Sequence, residues 1–172
     1  LDRLKVPLLP PDINRSRADF AVEALPDAAP GGPRGGIRYA LGAIKNVGAA
    51  AMAALTRERD EKGPFASVAD FANRLDPRGV NKRQLENLAC AGAFDGLDRN
   101  RRRLFEAAET IVRTAAAAAN DRASAQVNLF GDAASGAAPD LPLPMVEDWP
   151  GLQRLRQEFD AIGFYLSAHP LD

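Results

Sequence analysis

Scarcity marks this 172-residue sequence: it holds one cysteine, one histidine, 6% aromatic residues and no long apolar run. Cys90 is alone, so it cannot close an internal disulfide; it points to a reducing compartment, and a cytoplasmic location is expected. His169 is also alone, and one imidazole without an acidic partner pattern supports neither a metal site nor a catalytic pair. The sequence offers no Walker loop, no zinc-ligand spacing and no convincing carboxylate pair. No stretch approaches the roughly 20 apolar residues that span a bilayer. The mixed charges of Leu1-Asp2-Arg3-Leu4-Lys5 do not make a signal peptide. The basic excess usual in nucleic-acid-binding proteins is missing, since 22 Lys and Arg face 23 Asp and Glu for a net charge of −1. Any contact with nucleic acid has to come from a local patch.

What is present is enough apolar content, 46%, to build a core, with much alanine and glycine. That mixture favours helices packed through small residues over a large β-sandwich. The chain opens on Leu1 and closes on Asp172, so a piece of a longer polypeptide is expected. Residues 1–35 are punctuated by Pro and Gly. Leu8-Leu9-Pro10-Pro11-Asp12 reads as an extended segment and turn, because each proline biases its predecessor away from the helix. Phe20–Glu23 and Ile37–Tyr39 are strand candidates for a short β-hairpin, which needs neighbouring structure to be stable.

Residues 41–120 turn helical. Ala49–Arg59 is rich in helix formers and is stopped by Gly63-Pro64. Ser67 with Asp70, and Asn81 with Gln84, read as capping boxes that open two further helices, with Phe71, Leu75, Leu85 and Leu88 as their apolar positions. Cys90 falls on the same apolar face, as a small core residue. Asp98 is placed to cap a last long helix carrying Leu104, Phe105, Ala108, Ile111 and Val112. Residues 121–148 read as a flexible linker. Residues 149–172 contain a final amphipathic helix with Leu152, Leu155, Phe159 and Ile162 on one side.

Two turns carry candidate chemistry. In Leu41–Ala50, Gly42, Lys45, Asn46, Val47 and Gly48 resemble a helix-hairpin-helix turn. Such a turn needs residues that tolerate positive φ. It presents backbone N–H groups at a helix N-terminus, where a phosphate is favoured. Val47 would plug the turn into the core and Lys45 would add charge. A second unit around Gly92 is followed by Arg99, Arg101 and Arg102, in the densest basic cluster of the chain, and Lys82 and Arg83 open the helix before it. Both basic groups also fit a solvated helix face. Two such hairpins side by side would grip a duplex through its phosphates, without reading bases and with strong salt dependence.

A third feature is Gln126-Val127-Asn128-Leu129-Phe130, a Leu-Phe pair in a small, polar stretch with nothing apolar beside it. Its pattern resembles the peptide by which bacterial polymerases hold the DNA sliding clamp. With the ordered series Gly36–Gly48, Gly63-Pro64-Phe65, Asp70-Phe71, Asn81-Lys82-Arg83 and Ala91–Asp95, nearly the whole chain resembles the alpha subunits of bacterial DNA polymerase III. The family usually has Gly where this chain has Asn46, and a Gly-x-Gly pair where this chain has Gly92 alone.

The resemblance implies a mainly α fold: a tandem helix-hairpin-helix bundle with a short N-terminal β-hairpin and a flexible linker. The divisions are the end of the fingers region (1–40), the DNA-binding domain (41–120), the linker with Gln126, Leu129 and Phe130 as clamp ligands (121–148), and a helix leading to the OB domain (149–172). It implies double-stranded DNA, the beta sliding clamp and the rest of the alpha chain and holoenzyme as partners, with no membrane. The parent would be a DNA-directed DNA polymerase using Mg²⁺ and deoxynucleoside triphosphates, its catalytic aspartates lying upstream of this piece, which holds no cofactor and no catalytic residue. Two alternatives stay open: a protein-interaction module with no DNA binding of its own, and the error-prone paralogue of the same family.

Overall fold

The computed structural model describes residues 7–24, 35–127 and 141–163, with the backbone alone at 125–127. Three short strands come first: β1 (Leu8–Leu9), β2 (Ala21–Ala24) and β3 (Gly35–Arg38). β3 is central, antiparallel to β2 and parallel to β1. The expected hairpin is therefore present, and Leu8-Leu9 adds a strand where an extended segment was expected. Arg38 ties all three together. Its guanidinium donates twice to Glu23 on β2, at 2.6 and 2.7 Å, and once to the Pro10 carbonyl that follows β1, at 2.9 Å. That hydrogen-bonded pairing holds the Glu23 carboxyl below its ordinary pKa.

A single 3-10 turn (Leu41–Ala43) leads into six helices among the described residues: α1 (Ala49–Lys62), α2 (Val68–Arg74), α3 (Lys82–Cys90), α4 (Arg101–Glu106), α5 (Ala108–Val127) and α6 (Gly151–Ile162). The fold is thus mainly α, as the sequence implies. The end signals act as read, except that the Ser67 box is half formed, its Asp70 carboxylate accepting the Ala66 N–H rather than that of Ser67. Gly63, at φ 94°, closes α1. Ser67 Oγ accepts the Asp70 N–H, and Asn81 and Gln84 form a reciprocal capping box. At α4 the cap is Asn100 rather than Asp98: its side chain accepts the Arg103 N–H, while Asp98 accepts the Asn100 N–H. The expected last long helix is interrupted at Ala107 and then runs on to Val127, so the stretch from 121 to 127 is helical rather than linker.

The core joins every helix. Phe71 stacks edge-on between Phe65 and Phe94, with centroids 5.1 and 5.0 Å away. Met52, Leu85, Leu88, Leu104 and Ile111 belong to the same core, each essentially inaccessible. Full burial of such side chains contributes about 1.5–3 kcal/mol each. Residues 141–150 form no regular element but are docked, not free. Leu141 and Leu143 pack on the core, the Val146 carbonyl accepts from Asn100, and Trp149 lies edge-on to Phe105 at 5.5 Å.

Helix α6 keeps part of its expected face, with Ile162 buried and Leu155 half-buried, and departs from it at Leu152 and Phe159. Leu152 is 70% and Phe159 40% exposed, while Glu158, Ala161 and Ile162 are buried. Arg101 accounts for Glu158: a buried guanidinium needs an anion, and Glu158 meets it at 3.1 Å.

Candidate nucleic-acid interface

The first turn is short. Leu41–Ala43 makes one 3-10 turn, Asn46 takes the left-handed conformation at φ 62°, and Gly48 is the N-cap of α1. The residue that needs positive φ is therefore Asn46, not Gly42 or Gly48. Gly42 is required for space: a Cβ there would stand 2.7 Å from the Ala18 carbonyl oxygen. Val47 is buried, as a plug must be, so its part is to hold the turn.

Lys45, Asn46, Gly48, Ala49 and Ala50 are all exposed. No side chain caps α1 and no acid lies in its first turn, so the N–H groups at its positive end face solvent. Residue 48 also marks the neighbour. A Cβ built there would lie 3.8 Å from the side-chain amide of Gln84, which places the first turn of α3 beside the first turn of α1. That turn of α3 carries Lys82 and Arg83, both exposed, and again no acid. Cations at the N-terminus of a helix oppose its dipole. By contrast, α2 carries Asp70 there. Among the described residues Lys45, Lys82, Arg83 and Arg99 make no ion pair.

The second turn is built differently. Gly92 has φ 84°, and a Cβ on it would come within 2.8 Å of Arg101 Cζ and nearer still to Nη2. Arg101 is 4% exposed, not a surface cation. It donates to Asp95 at 2.8 Å and to Glu158 at 3.1 Å, and Arg154 approaches the same Asp95 oxygen at 3.3 Å. Burial opposes the Arg101 charge; hydrogen bonds and attraction from Asp95, then Glu158, outweigh it and raise its pKa. Sequence reasoning set Arg101 on the DNA side because an arginine run reads as surface. The structure corrects this: Arg101 fills the turn from within.

Of the same cluster, Arg99 is exposed and Arg102 is half-buried, 3.7 Å from Glu106 one helical turn on. Cys90 is buried as expected, and burial, aided by the Glu86 charge, pushes its thiol up to about 12. Gln126 lies in the helical backbone of the last turn of α5, whereas Leu129, Phe130 and His169 lie outside the described residues.

A 3-10 turn leading into α1, open and cationic, and a second turn joining α3 to α4 define a class, and the chain belongs to the helix-hairpin-helix motif family, which matches residues 5–104. Along nearly its full length it is also similar to a set of replication proteins. It is 43% identical to DNA polymerase III subunit alpha of Caulobacter vibrioides over 99% of this chain and 14% of that protein. The same subunit of Thermus aquaticus is 39% identical over 98% of this chain and 12% of its own length, and that of Mycobacterium leprae 34% over 97% and 13%. The chain thus spans about one seventh of these relatives.

Proposed function

We propose that this chain is the part of a DNA polymerase III alpha subunit that holds duplex DNA and tethers the sliding clamp. The observation that carries the DNA reading is the pairing of the exposed Lys45–Gly48 turn at the open N-terminus of α1 with the acid-free, Lys82- and Arg83-bearing first turn of α3. Each pairs the N–H donors of a helix N-terminus with exposed cations, which suits phosphate and is sequence-independent. The test is duplex binding across a salt series. The chain is expected to bind with a negative slope of log K against log salt, and Lys45→Glu to weaken binding while making that slope shallower by about 1. A wild-type affinity indifferent to salt sinks the reading.

Clamp tethering rests on the Gln126, Leu129, Phe130 pattern and on its place in the sequence, starting in the last turn of α5 and preceding the docked 141–150 segment. Burying the Leu and Phe side chains would yield roughly 1.5–3 kcal/mol each. With the ordering cost of the peptide, a Kd of about 1–100 μM follows. Weak binding suffices because polymerase and clamp share one DNA, which raises the effective concentration. Leu129→Ala/Phe130→Ala is expected to abolish binding to the cognate clamp; equal binding by both chains removes the claim.

By the same reading the whole subunit is a Mg²⁺-dependent, template-directed DNA polymerase in the cytoplasm, and its remainder and holoenzyme are partners. Among the described residues no group of three or more His, Cys, Asp or Glu is placed to hold a metal, and no helix is long and apolar enough to cross a membrane. We assign no polymerisation step to this chain. For the second unit one observation favours the rival reading of an interaction module: its turn is occupied by Arg101.

A further inference from the structure

The two turns meet on one helix. The Lys45 N–H, in the first turn, donates to the Ala161 carbonyl of α6 at 2.8 Å. Ala161 is next to last in α6, so its carbonyl has no partner within the helix and is free to accept. Three residues earlier, Glu158 reaches the second turn: its carboxylate takes Arg101 Nη1 at 3.1 Å, and Arg101 lies against Gly92 where any side chain would stand. A single turn of α6 therefore holds both hairpin turns, at points roughly 4.5 Å apart along its axis. The sequence placed this helix outside the DNA-binding unit, beyond the linker.

We propose that α6 is a brace that sets the spacing of two units for duplex DNA, the exposed first turn and α3 with its Lys82 and Arg83, and that Glu158 is its positioning residue; this rests on the DNA-binding reading above. Glu158 touches no DNA in this account. It acts through Arg101, which it holds over Gly92 with 1% of its own surface exposed. Buried ion pairs are poor devices for stability, since apolar side chains of similar volume serve as well or better. They do fix geometry, because a paired guanidinium and carboxylate accept few arrangements. A two-point binder gains from fixed spacing, because the second contact then forms without a further ordering cost.

The test uses the whole chain in four forms: wild type, Glu158→Gln, the apolar replacement Arg101→Met/Glu158→Leu, and Lys45→Glu. Duplex affinity and thermal unfolding are measured on each. In parallel, spin labels at Ala43→Cys and Arg99→Cys in a Cys90→Ala background report the distance between the two units.

The brace predicts one narrow distance in the wild type. In Glu158→Gln it predicts a broadened distance and an affinity lower by about tenfold. The apolar pair should melt near the wild-type temperature yet show the same broad distance and weak binding, which a purely stabilising role would not produce. A wild-type distance and affinity in the apolar pair overturn the proposal. If Glu158→Gln fails to fold, the apolar pair decides alone. If the wild type binds no duplex, or Lys45→Glu binds as well as the wild type, the DNA reading fails instead, and the distances still decide whether α6 is a brace.

Discussion

The two hairpin turns differ in what fills them. The first leaves the Lys45 side chain and the start of α1 exposed, while Leu41, Ile44 and Val47 go to the core. The second is filled from within: Gly92 is bare so that Arg101 can lie against it, and Arg101 is held by Asp95 and Glu158. Similar local signals, a glycine-bearing turn with basic residues nearby, thus serve opposite ends. One turn keeps its cations for an outside anion; the other has matched its cation internally.

Breaking the internal match should give the largest effect. Arg101→Ala removes the guanidinium from Glu158 and Asp95 and strips the Gly92 turn of its contact. Removing one partner of a buried pair costs about 3–5 kcal/mol. Denaturant unfolding should show a loss of that order. A loss near zero would mean that the second turn does not depend on its filling. Gly92→Ala comes next. It forces a non-glycine residue to φ 84°, which costs about 1–2 kcal/mol, and drives a methyl into a guanidinium that two carboxylates pin in place. The expected total is about 2–3 kcal/mol. Gly48→Ala, with its Cβ site 3.8 Å from the nearest atom and φ −82°, should by contrast change little.

The same contrast shows what the sequence makes legible. Helix ends were readable because their signals are local: the Asn81–Gln84 box and the Gly63 stop each act within four residues. The first turn was readable for the same reason, down to Val47 as plug; Asn46, where the family resemblance expects glycine, is the residue of that turn at positive φ. Arg101 was not. Its fate depends on Glu158, 57 residues away, and nothing nearby distinguishes it from the solvated Arg99. One clue was present, a lone turn glycine followed nine residues on by arginine, but that clue has meaning only once the turn and α4 are known to face each other. The face of α6 failed in part for the same reason. Its apolar period is real and Ile162 follows it, yet Glu158 takes a buried place beside Arg101 while Leu152 stays 70% and Phe159 40% exposed. Strand β1 was missed because two residues carry no period, and their pairing is with a strand almost thirty positions later.

The open turn gives predictions in which stability and binding move in opposite directions. Lys82→Glu/Arg83→Glu replaces two cations at the N-terminus of α3 with anions. Acids there are favoured by the helix dipole by about 0.3–1 kcal/mol each, so the melting temperature should rise. If those cations face phosphate, duplex affinity should fall by more than tenfold and the salt slope should become shallower by about 2. Unchanged affinity together with the higher melting temperature would return Lys82 and Arg83 to a solvated face.

Asn46→Gly has the smallest expected effect and bears most directly on how the two turns are built. Asn tolerates φ 62° at modest cost, so glycine should relieve strain in the folded state while giving the unfolded chain more freedom. These oppose, and the net change in stability should stay within about 0.5 kcal/mol. Binding need not follow stability. Asn46 is exposed beside Lys45 and Gly48, so removing its side chain lets a phosphate approach the backbone more closely. A gain in duplex affinity of a few-fold at unchanged stability would show that the turn meets DNA through its backbone. A loss of affinity would show instead that the Asn46 amide itself makes the contact, and that glycine in the second turn answers to Arg101 rather than to DNA.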